Sequence, residues 1–110
     1  MQHTVTQDGE IVVVALRGEI DLEFSSSMRK VLLDSIAKGR GVVVDLSAVS
    51  MIDSSGVASL LEAFQTARKR GKKLILAATP VSVSRVLKLA RLDAVFQMAG
   101  DIASAKRALG

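Results

Sequence analysis

The sequence predicts one α/β domain over residues 1–110, with a mixed sheet of four to five strands and helices packed mainly on one face. Three observations predict it. Residues 42–46 (VVVDL) and 73–78 (KLILAA) are short, largely apolar runs, the pattern of strands buried on both faces of a parallel sheet. Each is followed by a segment whose apolar residues recur at steps of three and four, one face of a helix. The chain also opens on two strand-like segments joined by Asp8-Gly9, a hairpin signal. The resulting order, β-β-α-β-α-β-α-β-α, calls for a hairpin followed by alternating units and a largely parallel sheet.

The elements follow in order. HTVTQ (3–7) alternates weakly as a first strand, and IVVVALR (11–17) is the strongest strand in the chain, β-branched and apolar, ended by Gly18. EIDLEFSSS (19–27) leads into a helix, with acids and serines where a helix start wants acceptors and negative charge. Met28, Val31, Leu32, Ser35 and Ile36 give its inward stripe, and Gly39 and Gly41 stop it. After the strand at 42–46, SAVSMID is read as a loop. Val57, Leu60, Leu61 and Phe64 then mark a second helix, with Arg68, Lys69 and Arg70 suiting its C-terminal dipole and Gly71 capping it. Beyond the strand at 73–78, Pro80 suits a first helical turn, and Val83, Val86, Leu87 and Ala90 form the buried stripe. Residues 94–98 (AVFQM) give a last strand and 101–109 a last helix with Asp101 at its cap.

Composition removes several function classes. With 49% hydrophobic residues, 110 residues can bury roughly two-thirds of the surface an unfolded chain exposes. There is no cysteine, hence no disulfide, thiolate metal site or cysteine nucleophile, a pattern that suits a reducing cytoplasm. The single histidine, His3, lies near the chain end, so a histidine metal cluster or catalytic dyad is not expected. The longest apolar run, 11–16, has six residues, against the roughly 20 a membrane span needs. No secretory signal pattern is visible at the N-terminus. The +4 charge is modest, and with no Tyr or Trp and three Phe the chain lacks the stacking platforms of single-strand nucleic-acid binders. No cofactor, small-molecule substrate, direct nucleic-acid contact or membrane insertion is expected.

The stretch that invites chemistry is Asp53-Ser54-Ser55-Gly56, where the chain enters the second helix. The first amides of a helix have no internal partners and favour an anion. A phosphoryl group on Ser55 would place nearly two negative charges there without unfolding the helix. Gly56 adds no side chain, so a partner loop could approach closely. A plainer reading stands beside this one: serine and aspartate are preferred caps, and Met51 or Ile52 can serve as a hydrophobic staple. Catalysis fits less well. There is no G-x-S-x-G elbow and no plausible base for a serine nucleophile. Asp45 and Asp53 as paired carboxylates compete with a simpler role for Asp45 in holding the following segment by hydrogen bonds. A G-x-x-x-x-G-K-[ST] phosphate loop is absent, and Gly39-Arg40-Gly41 reads as a turn.

Three blocks carry a resemblance: VVVALRGEIDL (12–22), VVVDLSAVSMIDSSGVASLL (42–61) and KLILAATPVSVSRVLKLARLDAVF (73–96). Together they resemble STAS domains, in particular the small anti-sigma factor antagonists of bacteria. The middle block is the specific one. The resemblance implies a cytoplasmic switch protein without catalytic activity, phosphorylated on the second hydroxyl residue of the motif, here Ser55. It implies a serine kinase that is itself an anti-sigma factor as partner, and a PP2C-type phosphatase that reverses the modification. Asp53 and Ser54 would orient the helix start and the hydroxyl, Gly56 would support the site, and Asp21 would be either a neighbour of the site or a helix cap. Met51, Val57, Ala58, Arg85 and Lys88, with Arg91 beyond them, are candidates for partner contact; Val57 also fits the core stripe, and the basic residues also fit a solvated face. The same family resemblance allows a different class, a subunit that docks on the ATPase of a lipid transporter, which would need no modifiable serine. The intact Asp53-Ser54-Ser55-Gly56 motif favours the switch.

Overall fold

The computed structural model describes residues 2–109. Its elements are β1 (Gln2–Asp8), β2 (Ile11–Ile20), α1 (Leu22–Lys38), β3 (Gly41–Ile52), α2 (Ser54–Lys69), β4 (Lys73–Ala77), α3 (Val81–Leu89), β5 (Gln97–Ala99) and α4 (Ile102–Leu109). The strands form one sheet in the order β1-β2-β3-β4-β5. β1 runs antiparallel to β2, as the Asp8-Gly9 turn requires, and the remaining neighbours are parallel. The expected mixed sheet is therefore present with five strands.

Side-chain alternation divides the layers. Val12, Val14, Leu16, Val42, Val44, Leu74 and Leu76 face α1, α2 and α3 in the main core. Their neighbours Val13, Val43, Ile75 and Ala77 face the other way, against Ala105 of α4. Three helices thus cover one face and one short helix covers part of the other. The central strands are buried on both sides, which is why they read as continuous apolar runs. The edge strand β1 is exposed along its length.

Three expectations need correction. Gly18 does not end β2, which continues to Ile20. The segment read as a loop is strand, since β3 runs on to Ile52. The reason lies in the pairing: between Ala15/Arg17 and between Gly18/Glu19 of β2, β3 advances by one residue more than its partner. Each extra residue is a bulge, and each resets the alternation. The inward residues of β3 are Val42, Val44, Leu46, Val49 and Ile52, at steps of two, two, three and three. Past Leu46 the two-residue period of a strand is gone. The last strand is also shorter and later than 94–98: it begins at Gln97, while Phe96 sits in the preceding turn, buried edge-on against Phe64.

The helices follow their stripes with small shifts. In α1, Phe24 joins Met28, Leu32, Ser35 and Ile36 inside. In α2 the buried residues are Val57, Leu60, Ala63 and Ala67, with Leu61 and Phe64 at the margin. In α3 only Val83 and Leu87 are fully buried, and Ala90 is an exposed C-cap. Pro80 is the N-cap of α3, one residue ahead of its first turn. α2 closes with paired backbone bonds, Lys72 N–H to Ala67 C=O and Gly71 N–H to Arg68 C=O, with Gly71 at φ 69°. This is a Schellman closure, which needs a left-handed residue. α3 closes the same way, Leu92 N–H to Leu87 C=O and Arg91 N–H to Lys88 C=O, but the left-handed residue is Arg91 at φ 58°.

A side chain in the left-handed region costs roughly 1–2 kcal/mol, partly offset by the greater unfolded-state entropy of glycine. Arg91→Gly should therefore raise the unfolding free energy by about 0.5–1 kcal/mol in urea titration. A loss of stability would show that the arginine makes contacts that outweigh its backbone strain.

Candidate functional site

The parallel strands β2 and β3 both end in Ile-Asp, and the two isoleucines, Ile20 and Ile52, are paired in register. Each aspartate then turns the chain into a helix with nearly the same backbone angles, φ −104° and ψ −175° at Asp21, φ −103° and ψ −176° at Asp53. Asp21 accepts from Phe24 N–H at 3.0 Å and Asp53 from Gly56 N–H at 3.0 Å. Both are N-caps, each satisfying an amide that the helix itself leaves unpaired. Asp53 N–H donates to Ile20 C=O at 3.1 Å, which ties one turn to the other. Two helix starts thus stand side by side at the carboxyl ends of adjacent strands.

Because Asp53 is the cap, neither serine has that duty. Ser54 and Ser55 occupy the first two positions of α2, Ser54 exposed and Ser55 half-buried. Ser55 Oγ donates to Asp53 Oδ1 at 2.5 Å, so one carboxylate oxygen holds both the helix amide and the hydroxyl. The Ser55 hydroxyl, followed by the Gly56 amide, holds the Asp53 carboxyl below the usual aspartate range, with smaller contributions from the Ser55 and Leu22 amides. The last of these belongs to the first residue of α1, so both helix starts act on Asp53. A charged carboxylate is thereby kept in place beside the hydroxyl of a half-buried serine at the helix start.

Gly56 has a different role from the one expected. It is buried, and a Cβ there would approach Ile20 Cγ2 and Ile52 Cγ1 at 2.7 Å each. The missing side chain serves the inside of the protein: it lets the first turn of α2 settle onto the paired strand ends. Val57 is likewise a core residue, at 6% exposure, and presents no surface to a partner. Ile52 and Val57, the two staple positions around the cap, both lie in the main core.

The remaining candidates divide by distance. Met51 and Ala58 are exposed beside the start of α2. The first turn of α3 lies close by, since Ser82 Oγ donates to Ser50 C=O at 3.3 Å. Arg85 and Lys88 are exposed on α3 but run away from that end, about 4.5 Å and 9 Å along the axis from Ser82. Asp45 accepts from Ser47 N–H at 3.0 Å within β3 and forms no pair with Asp53. Sequence reasoning missed two features. Leu22 and Val81, at 73% and 67% exposure, open α1 and α3 and frame the site with Met51. Their signal was an apolar residue placed directly after a cap, outside any buried stripe. A shallow hollow of about 510 Å³, lined by Glu19, Asp21, Glu23, Phe24 and Ser27, flanks the site and is acidic. Among the described residues, no group of three or more acidic or histidine side chains stands where it could hold a metal ion, and no helix is long and apolar enough to cross a membrane.

The STAS domain family model matches residues 2–105. The chain belongs to the STAS domain family. This STAS domain is similar in fold to an anti-sigma factor antagonist from Mycobacterium paratuberculosis, with a TM-score of 0.88 at 24% identity, covering 98% of this chain and 92% of that one. It is similar to the anti-sigma factor antagonist SpoIIAA in its unphosphorylated form, with a TM-score of 0.81 at 21% identity, covering 97% and 96%. It is also similar to SpoIIAA, a Bacillus cell fate determinant, in the phosphorylated form, at 0.76 and 20%, covering 97% and 99%.

Two outcomes test the site's construction. Gly56→Ala should destabilise the domain by about 1–2 kcal/mol, because isoleucine side chains and the Ile20 carbonyl must yield to the new methyl; an unchanged urea midpoint would mean the strand ends are looser than described. Asp53→Asn bears on acid stability. A lowered carboxyl pKa stabilises the folded state above the ordinary aspartate value of 3.8, and that contribution is lost as pH falls through the lower folded value. Asp8 beside Lys106, Glu62 beside Arg29 and Asp101 under the Ser104 amide are held low as well, so the whole domain weakens in acid. The Asn variant should lose stability less steeply below pH 3.8 than the wild type in thermal melts; parallel curves would contradict the role given to Asp53.

Proposed function

We propose that this STAS domain is an anti-sigma factor antagonist in a partner-switching pathway, controlled by phosphorylation of Ser55. The single observation that carries the proposal is the Ser55 hydroxyl: borne by a half-buried residue in the first turn of α2, released from capping by Asp53 and oriented by it. The unmodified protein binds a serine kinase that is also an anti-sigma factor, which frees the sigma factor. The kinase transfers a phosphoryl group from ATP to Ser55 Oγ, and the complex comes apart. A PP2C-type phosphatase returns the hydroxyl. This exchange would take place in the cytoplasm. That SpoIIAA has been solved in both an unphosphorylated and a phosphorylated form, on the same fold, supports the reading.

The physics of the switch follows from Asp53. In the hydroxyl state Ser55 donates a hydrogen bond to the carboxylate and can lie against a partner. Once the hydrogen is replaced by a phosphoryl group, nothing remains to donate, and nearly two negative charges stand next to a third. The phosphoryl group must turn outward, toward the N-terminal amides of the helix and the partner. A partner surface built for a neutral hydroxyl would have to strip water from that charge, which is costly when the pairing is imperfect. The core beneath is untouched, because Ile52, Gly56 and Val57 face inward. Leu22, Met51 and Val81, exposed around the hydroxyl, supply the apolar part of the contact, and Ala58 allows close approach. Arg85 and Lys88 lie farther along α3 and contribute at the rim.

The Ser55→Ala variant should retain the partner and gain no mass on incubation with the cognate kinase and ATP. Ser55→Asp should weaken the complex at least tenfold, about 1.4 kcal/mol, while thermal stability stays close to wild type. Phosphate found on Ser54 of the wild type would move the switch to the other serine. Unfolding of Ser55→Asp would remove the claim that the charge is felt by the partner alone.

A further inference from the structure

The end of the domain opposite Ser55 carries a dense positive charge. Residues 68–73 contain five basic side chains, Arg68, Lys69, Arg70, Lys72 and Lys73. All but Lys72 are exposed. The sheet register places this segment with the rest of the same pole: Lys73 begins β4 beside Gly41 of β3, and Gly41 pairs with Ile11 of β2. Lys38, exposed in the last turn of α1, joins them. α2 runs from Ser54, next to Ser55, to this pole, a span of about 24 Å for 16 residues, against a longest molecular dimension of 31 Å. Charge of opposite sign gathers at the Ser55 end, in Glu19, Asp21, Glu23 and Asp53.

Local structure does not account for the basic pole. Lys72 has a task, since its Nζ donates to Ile36 C=O at the end of α1. Of the acids at this end, Asp8 and Glu10 are held by Lys106 and Arg40, and Asp34, one turn before Lys38 in α1, is exposed and forms no salt bridge. Among the described residues, Lys38, Arg68, Lys69, Arg70 and Lys73 have no acidic partner within salt-bridge distance. A helix C-terminus offers only about half an elementary charge of opposite sign. Five unpaired cations on one small surface exceed what two helix ends can offset.

We infer that the basic pole docks the domain on an anionic lipid bilayer, peripherally and reversibly. A charged bilayer attracts such a cluster through its surface potential, without needing close contact at defined phosphates. A nucleic acid is less suited. Its phosphates attract the same cations, but defined contacts add helix N-termini or an element seated in a groove, and single strands add aromatic stacking. Here the helices present their C-termini, the chain has no Tyr or Trp, and its three Phe lie in or against the core. Docking by this pole would leave Ser55, about 24 Å away, facing the water and open to kinase, phosphatase and partner.

The test is sedimentation of the full chain with vesicles of phosphatidylglycerol and phosphatidylcholine in equal parts, and with phosphatidylcholine alone. Binding is expected only on the anionic vesicles, falling about fivefold for each charge removed and vanishing as salt shortens the screening length from about 10 Å at 0.1 M to about 3 Å at 1 M. The triple variant Arg68→Glu, Lys69→Glu, Arg70→Glu should lose it. A second triple variant, Arg17→Glu, Arg85→Glu, Lys88→Glu, changes the net charge equally but away from the pole, and should keep most of it. Equal loss in both variants would overturn the proposal in favour of net charge alone. Absence of binding to anionic vesicles at low salt, or tighter binding to duplex DNA than to vesicles at the same salt, would overturn it as well.

Discussion

One hydrogen-bonded carboxylate organises the site. Asp53 ends a strand, caps a helix and holds a serine hydroxyl, all within three residues. It can do so because Ile20 and Ile52 are paired in register, so that β2 and β3 release their chains at the same level and into neighbouring turns. Gly56 completes the arrangement by leaving no atom between helix and strand ends. Remove the pairing and the two helix starts separate. Remove the glycine and the first turn of α2 lifts away from the sheet. The hydroxyl is only as well placed as this packing allows.

Much of this was legible in the sequence, for physical reasons. Val42–Val44 and Leu74–Leu76 are buried on both faces, so they had to be continuous apolar runs, and the parallel sheet followed. Asp53 before an apolar helical stripe is a cap signal, and the cap is there. What stayed hidden was whatever depends on neighbours. The two bulges of β3 break the alternation at Ser47 and Ser50, so a strand looked like a loop. The use of Gly56 depends on two isoleucines, one of them 36 positions earlier in the chain, and no local pattern contains that fact. Val57 was ambiguous in sequence because it begins a stripe next to a surface motif; packing assigned it to the core. Leu22 and Val81 became visible as a frame only once three helix starts were seen to share one end of the sheet.

The charge distribution follows the same polarity. Helices begin at the site end, α1, α2 and α4 under an aspartate cap and α3 behind Pro80, and finish at the opposite end, where basic residues accumulate. Part of that is ordinary complementarity to helix dipoles. The excess at residues 68–73 is not, and it gives the domain two chemically distinct ends. A domain so arranged can hold one surface while the Ser55 end addresses a partner.

The central claim is that a charge can be added at Ser55 without disturbing the domain beneath. It is tested most directly by comparing amide spectra of the ¹⁵N-labelled domain before and after complete phosphorylation of Ser55 by the proposed kinase. The account predicts shifts confined to the strand ends and first helical turns around Ile20–Phe24 and Ile52–Val57, with Val43, Val44 and Ile75 in the sheet centre unmoved. Shifts spread across the sheet, or loss of the dispersed spectrum, would contradict it.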